Sequence, residues 1–262
     1  MDRLQYINGF YATPKRSVSV FSRLMPELSF YRNLFRIVFK CASMAKQGKY
    51  DNEAWWRSSL DVMNALEKVG IRLEIDGVDN FISLDGPAVF IGNHMSALET
   101  FVLPGIISSE KQATFVIKEG LIDYPVFKHL MRATNPIAVG RSNPREDLKK
   151  VLEEGTERLK SGISVIIFPQ TTRIAVFDAK AFNTIGLKLA KRAEVPIVPF
   201  ALKTDAWGNG KRLKDFGRIS PDKTAHIAFG APLFIKDRGT EEHNLIIDFI
   251  TKKLGEWGGE VC

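Results

Sequence analysis

The run Gly92-Asn93-His94-Met95-Ser96-Ala97-Leu98-Glu99 sets a carboxylate five residues after a histidine. An imidazole beside a carboxylate is a general-base pair. The carboxylate holds the ring's tautomer and supports the imidazolium, while the other ring nitrogen takes up a proton. Inside one continuous α-helix a five-residue offset turns two side chains ~140° apart. The pair therefore meets only if His94 precedes a helix and Glu99 lies in that helix's first turn. Ser96-Ala97-Leu98-Glu99 is also a capping box, in which Glu99 would do no more than satisfy backbone N–H groups. The residues alone leave both readings open. A second group is Phe168-Pro169-Gln170-Thr171-Thr172-Arg173, where an arginine, hydroxyls and free backbone N–H groups could hold an anion; a turn with a solvated arginine is the plainer reading. Arg141, directly after a short apolar run, is a third candidate.

These residues need a scaffold, and from Ile71 onward the pattern supplies one. Short apolar runs alternate with helical patterns, which predicts an α/β domain with a largely parallel central sheet flanked by helices. Strands are expected at Ile71–Asp76, Ala88–Gly92, Thr114–Lys118, Ile137–Gly140, Ile163–Phe168, Ile197–Leu202 and His226–Phe229. Helices are expected at Leu98–Ile107, around Val126–Met131, from the Asn143 cap to Gly162, at Ile185–Arg192, and after a Thr240 cap. In such sheets, active groups gather beyond the carboxyl ends of the strands. His94, Arg141 and the 168–173 run all follow predicted strands.

The first quarter of the chain differs. Residues 1–60 hold ten Lys/Arg against four Asp/Glu, which accounts for +6 of the formal +7. Phe30 to Gln47 reads as a helix whose narrow polar arc contains Arg32, Arg36 and Lys40, with apolar residues over most of the remainder. A helix lying in a lipid headgroup layer has this pattern, and so does a core helix with one wet edge. A nucleic-acid helix would gather bases and aromatics on one face, whereas here they oppose each other. A second helix, Asn52 to Val69, stops at Gly70. The expected organisation is an N-terminal two-helix membrane-docking hairpin over 1–70 and an α/β domain over 71–262.

Composition excludes several classes. With 262 residues, 45% apolar and 26% charged, the chain is globular and large enough to bury a core without staples. Two cysteines, Cys41 and Cys262, cannot form a disulfide framework, and four scattered histidines predict no metal site. No secretory leader and no uncharged apolar run of ~18 residues is found. The absence of a G-x-S-x-G elbow argues against an α/β-hydrolase.

The order of the motifs resembles a known family. Asn93-His94-Met95-Ser96 with Glu99 is similar to the N-H-x-S-x-x-D block of the glycerolipid acyltransferases of lysophosphatidate type. Phe168-Pro169-Gln170-Thr171-Thr172-Arg173 resembles their F-P-E-G-T-R block, and Val195-Pro196-Ile197-Val198-Pro199 their V-P-[IV]-V-P block. Arg141 matches the arginine of the remaining block, and Phe115-Val116-Ile117-Lys118 resembles the strand with a basic residue ahead of it. The blocks stand in the family's order between about Gly77 and Phe229. The resemblance implies a peripheral enzyme on the cytoplasmic face of the inner membrane. It would move a fatty acyl group from coenzyme A or an acyl carrier protein to a lysophospholipid hydroxyl, without cofactor or metal. His94 would be the general base and Glu99 its support. Lys118, Arg141, Gln170, Thr171, Thr172 and Arg173 would bind substrate, and Arg32, Arg36 and Lys40 the membrane; the partners are a lipid acceptor, the thioester donor and the membrane surface, not nucleic acid. Glu99 stands where the family has Asp, Gln170 where it has Glu, Thr171 where it has Gly, and Asn135 where it has Gly six residues before the arginine. These departures fall mainly on the acceptor side. A different polar-lipid acceptor, such as an amino-acid lipid, and a catalytically silent lipid-binding module are the alternatives.

Overall fold

The computed structural model describes residues 3–123, 128–170, 172–211 and 213–262. A short strand β1 (Tyr11–Ala12) and a short helix α1 (Val20–Leu24) lead into two long helices, α2 (Pro26–Lys46) and α3 (Asn52–Lys68). The α/β body follows as β2 (Arg72–Asp76), α4 (Asp79–Ile82), β3 (Val89–Gly92), α5 (Leu98–Ile107), β4 (Ala113–Lys118), α6 (Lys128–Ala133), β5 (Ile137–Val139) and α7 (Pro144–Lys160). It closes with β6 (Ser164–Ile167), α8 (Ile185–Ala193), β7 (Ile197–Lys203), β8 (Thr224–Phe229) and α9 (Thr240–Glu256).

All eight strands join one sheet, ordered β1-β2-β8-β7-β3-β6-β4-β5. The five strands from β7 to β5 run parallel to one another, as expected of apolar runs joined by helices. β8 turns antiparallel to β7, β2 lies parallel to β8, and β1 closes that edge antiparallel to β2. β3 and β6 are buried along their whole length, which places them at the centre. Successive residues of a strand face opposite sides. Phe90 accordingly packs with Leu60, Leu66 and Val102 of α3 and α5, while Val89 and Ile91 pack with Leu189 and Ile250 of α8 and α9.

Helix ends follow local chemistry. The Asp51 carboxylate accepts from the Ala54 N–H at 2.8 Å to open α3, and Gly70, at φ +98°, takes the chain past its end. Asn143 caps α7 through the Arg145 N–H at 3.1 Å, with Pro144 as the first residue. At α9 the expectation needs correcting: the cap position is Gly239, in the left-handed conformation, and Thr240 is the first helical residue. Of the short helix expected around Val126–Met131, Val126 and Phe127 lie outside the described residues; the described part is α6.

The N-terminal quarter is tied into the body. β1 adds to the sheet edge, and Phe30, Leu34 and Val38 of α2 join the core that holds Leu73 and Phe90. The wide apolar face of α2 is thus turned largely toward protein, as in a core helix. Leu28, Phe35 and Phe39 remain outside, with Phe39 58% exposed, on the side that carries the exposed Arg32, Arg36 and Lys40. Val20, Phe21 and Leu24 of α1 and Met25 after it are exposed as well. No helix among the described residues is long and apolar enough to cross a membrane.

Candidate active site

The site begins where β3 ends. A Cβ on Gly92 would lie 2.2 Å from the Phe200 ring and 2.4 Å from its carbonyl oxygen, so only glycine lets β3 and β7 close up here. Asn93 then ties the two strands beyond their ladder. Its Nδ2 donates to the Leu202 carbonyl and its Oδ1 accepts from the Leu202 N–H, both at 2.8 Å. His94 follows, ahead of α5, and Glu99 sits in the first turn of that helix.

In this arrangement the imidazole and the carboxylate meet. His94 Nδ1 lies 3.0 Å from Glu99 Oε1. The same oxygen accepts from the N–H groups of Met95 (2.6 Å) and Ser96 (2.7 Å), and Oε2 accepts from the hydroxyls of Ser96 (3.0 Å) and Thr204 (2.6 Å). One carboxylate thus organises the backbone before α5 and also lies against the imidazole. Glu99 is fully buried. Burial alone would raise its pKa; the His94 hydrogen bond and charge, the Thr204 hydroxyl and the Ser96 N–H outweigh that and hold the carboxyl below its ordinary range. An ionised Glu99 requires a proton on Nδ1 of His94, which leaves the Nε2 lone pair for a substrate proton. Nε2 has no hydrogen-bond partner among the described residues, and the ring stacks on Phe168 at 4.2 Å between centroids.

His94 lines a cavity of about 220 Å³. Lys118, Arg141 and Arg173 contribute cations to its wall, while Val38, Trp55, Val62, Phe115 and Leu130 are among its apolar lining. One compartment thus combines an imidazole, cationic groups and an apolar wall. Arg141 adopts φ +63°, an uncommon left-handed conformation for a non-glycine residue. It is held there by Asp147 at the start of α7, whose carboxylate accepts from the N–H groups of Gly140 and Arg141, each at 2.9 Å. Asn135 also has a positive φ, +47°, a conformation that asparagine tolerates better than most residues with a side chain.

The other predicted residues separate. Gln170 is buried behind the site, where its Oε1 accepts from the His94 N–H at 2.8 Å and its Nε2 finds no partner among the described residues. It supports the histidine backbone and does not line the cavity. Thr172 is exposed and accepts from Lys214 at 3.0 Å, outside the cavity wall. Thr171 lies outside the described residues. Arg32, Arg36 and Lys40 stand on the outward side of α2 and not in the cavity. Three residues join the site without having been singled out. Thr204, at the end of β7, holds Glu99 from 105 positions away; Phe168 covers the imidazole; Asp215 pairs with Arg173 at 2.7 Å. Phe168 stood in a recognised block, whereas Thr204 and Asp215 carry no local signal. Among the described residues no group of three His, Cys, Asp or Glu could hold a metal ion.

A family model described as Acyltransferase matches residues 72–203, from β2 through β7. A 1-acyl-sn-glycerol-3-phosphate acyltransferase of Pseudomonas aeruginosa is 38% identical over 132 residues, covering 50% of this chain and 49% of the relative. The chloroplastic 1-acyl-sn-glycerol-3-phosphate acyltransferase LPAT1 of Arabidopsis thaliana is 31% identical over 140 residues, covering 53% of this chain and 37% of the relative. The matched stretch spans about half the length or less of these curated relatives. The crystal structure of the 1-acyl-sn-glycerophosphate acyltransferase PlsC from Thermotoga maritima superposes with a TM-score of 0.64 at 19% identity, over 89% of this chain and 95% of that one, and so shares the fold.

Proposed function

The chain belongs to the Acyltransferase family, and from that premise we propose that it moves a fatty acyl group from an acyl thioester, of coenzyme A or of an acyl carrier protein, to the hydroxyl of a lysophospholipid such as 1-acyl-glycerol-3-phosphate. The observation that carries this reading is the His94–Glu99 pair, 3.0 Å apart and opening into a cavity with both cationic and apolar walls. Nε2 of His94 takes the proton of the acceptor hydroxyl as its oxygen attacks the thioester carbonyl. The C–O bond forms, the C–S bond breaks, and the leaving thiolate receives the proton from the imidazolium. Glu99 stabilises that transient cation without itself taking the proton. Attack is direct, so no acyl-enzyme is needed. Lys118, Arg141 and Arg173 would hold the phosphate, the two arginines with planar multi-donor heads, and the apolar wall would hold acyl chain.

The substrates are amphiphiles, and the outer side of α2 offers a means of reaching them. Leu28, Phe35 and Phe39 stand exposed near Arg32, Arg36 and Lys40, with the apolar residues of α1 alongside. Apolar insertion together with attraction to anionic headgroups supports peripheral docking. Thioester donors are intracellular, so the docked face of the membrane would be the cytoplasmic one.

Incubation of the purified chain with a labelled acyl thioester and 1-acyl-glycerol-3-phosphate, followed by lipid extraction, tests the proposal. Labelled diacyl product is expected, and His94→Ala should lower its rate by roughly 10²–10⁴-fold with an unchanged melting temperature. Vesicle binding without any thioester consumption would establish the silent lipid-binding alternative.

A further inference from the structure

Asp215 and Phe216, between β7 and β8, line the cavity, and Asp215 is the one acid among its described lining residues. Asp215 Oδ1 accepts from Arg173 Nη2 at 2.7 Å, and both residues line the cavity that holds His94, Lys118 and Arg141. The acid is anchored at three successive residues. The carbonyl of Asp215 accepts from the indole N–H of Trp207 at 3.2 Å, and Trp207 is fully buried against Phe30. Phe216 stacks on Phe35 of α2 at 5.7 Å between centroids, and the Gly217 carbonyl accepts from the Tyr31 hydroxyl at 2.5 Å. This backbone ties the carboxylate to the site.

The anchoring has an electrostatic consequence. An anion seated on the Arg173 guanidinium would share it with Asp215, and two negative charges a few ångströms apart oppose each other. A purely anionic head is therefore disfavoured at this end of the cavity. A group of opposite sign is favoured: a carboxylate offers about four acceptor sites, and Asp215 uses one of them among the described residues, while its side chain stays 39% exposed. A site built in this way discriminates between the two classes of head.

We propose that Asp215 and Arg173 form a headgroup subsite for a lyso-lipid acceptor carrying an ammonium beside its anion. Asp215 takes the ammonium, and Arg173, with Arg141 and Lys118, takes the anion. The inference rests on the acyl-transfer reading and ranks its acceptors, with zwitterionic heads ahead of purely anionic ones.

The test compares lysophosphatidylethanolamine with lysophosphatidylglycerol, two phosphodiesters that differ in the ammonium, and adds lysophosphatidate; one acyl-coenzyme A donor serves throughout with the full chain. The wild type should favour the ethanolamine head by roughly two- to fivefold in kcat/KM, about the effect of one partly exposed charge pair. Asp215→Asn should bring the ratio near one, mainly by raising the KM for the ethanolamine acceptor. Asp215→Glu should keep the preference. A wild-type ratio near one overturns the inference without any variant, and so does a ratio that a folded Asp215→Asn leaves unmoved. If Asp215→Asn speeds the anionic acceptors and leaves the ethanolamine acceptor unchanged, Asp215 is a displaceable latch on Arg173, and the zwitterion subsite is again refuted. Transfer to none of the three acceptors would instead count against acyl transfer itself.

Discussion

Replacing Glu99 by glutamine separates the two duties of this carboxylate. The amide oxygen can occupy the Oε1 position and still accept from His94 Nδ1, Met95 N–H and Ser96 N–H, so the tautomer and the local backbone are retained. The amide nitrogen then meets the Ser96 and Thr204 hydroxyls, which can turn to accept. The structural cost is the weakening of charge-assisted bonds to neutral ones, about 1–2 kcal/mol in total once the easier burial of a neutral group is set against it. The catalytic cost is larger. With 3.0 Å between Nδ1 and Oε1, and charge spread over both groups, the attraction between imidazolium and carboxylate is about 3–5 kcal/mol at an effective dielectric constant of ~20. That attraction exists only while His94 carries the proton, so its loss raises the barrier and slows transfer by roughly 10²–10⁴-fold. Initial rates of thiol release from an acyl-coenzyme A at saturating acceptor, measured beside thermal melts, read both costs. Glu99→Asp keeps the charge on a shorter arm and should retain part of the activity. A folded Glu99→Gln enzyme working within about tenfold of the wild type would reduce Glu99 to a backbone cap and refute the reasoning.

Three further outcomes are expected. Changing Arg32, Arg36 and Lys40 together to glutamine should weaken binding to anionic vesicles by roughly 1 kcal/mol per residue, and high salt should mimic the change; equal sedimentation of wild type and variant would remove these cations from docking. Because the Glu99 carboxyl is held below its ordinary 4.5, its contribution to stability is fully present above that value and is lost as pH falls through the lower folded value. Chemical denaturation across the acid range should therefore show a shallower loss for Glu99→Gln than for the wild type, and parallel curves would contradict the charged assignment. Gly92→Ala forces a methyl to within 2.2 Å of the Phe200 ring, an overpacking worth about 1–3 kcal/mol or more, and it displaces the strand end that carries His94. Calorimetry should record a lower melting temperature together with reduced activity, and an unchanged melting temperature would show that β3 and β7 can separate there at no cost.

Elements with strong local periodicity were legible without coordinates. Strands such as 89–92 and 164–167 are short apolar runs because both faces of the sheet are covered, and helices such as 144–160 announce themselves by an asparagine cap and a proline at the first position. The His94–Glu99 contact was readable as a condition, since it depends only on where one helix begins. β1 was not readable: two residues make no pattern, and their pairing with β2 is set by a distant strand. The outward or inward side of α2 was not readable either, because periodicity divides a helix into faces without saying which face meets protein, and the fold turned most of the apolar one inward. Thr204 and Asp215 reach Glu99 and Arg173 across 105 and 42 positions. Such contacts are decided by which strands lie side by side and how a long loop returns. The tertiary structure therefore decides that Thr204 joins the groups around Glu99 and that Asp215 stands beside Arg173 in the cavity wall. Local sequence carries the types of the candidate groups, because short-range periodicity and capping chemistry act over a few residues. Part of the field around those groups comes from residues far apart in the chain.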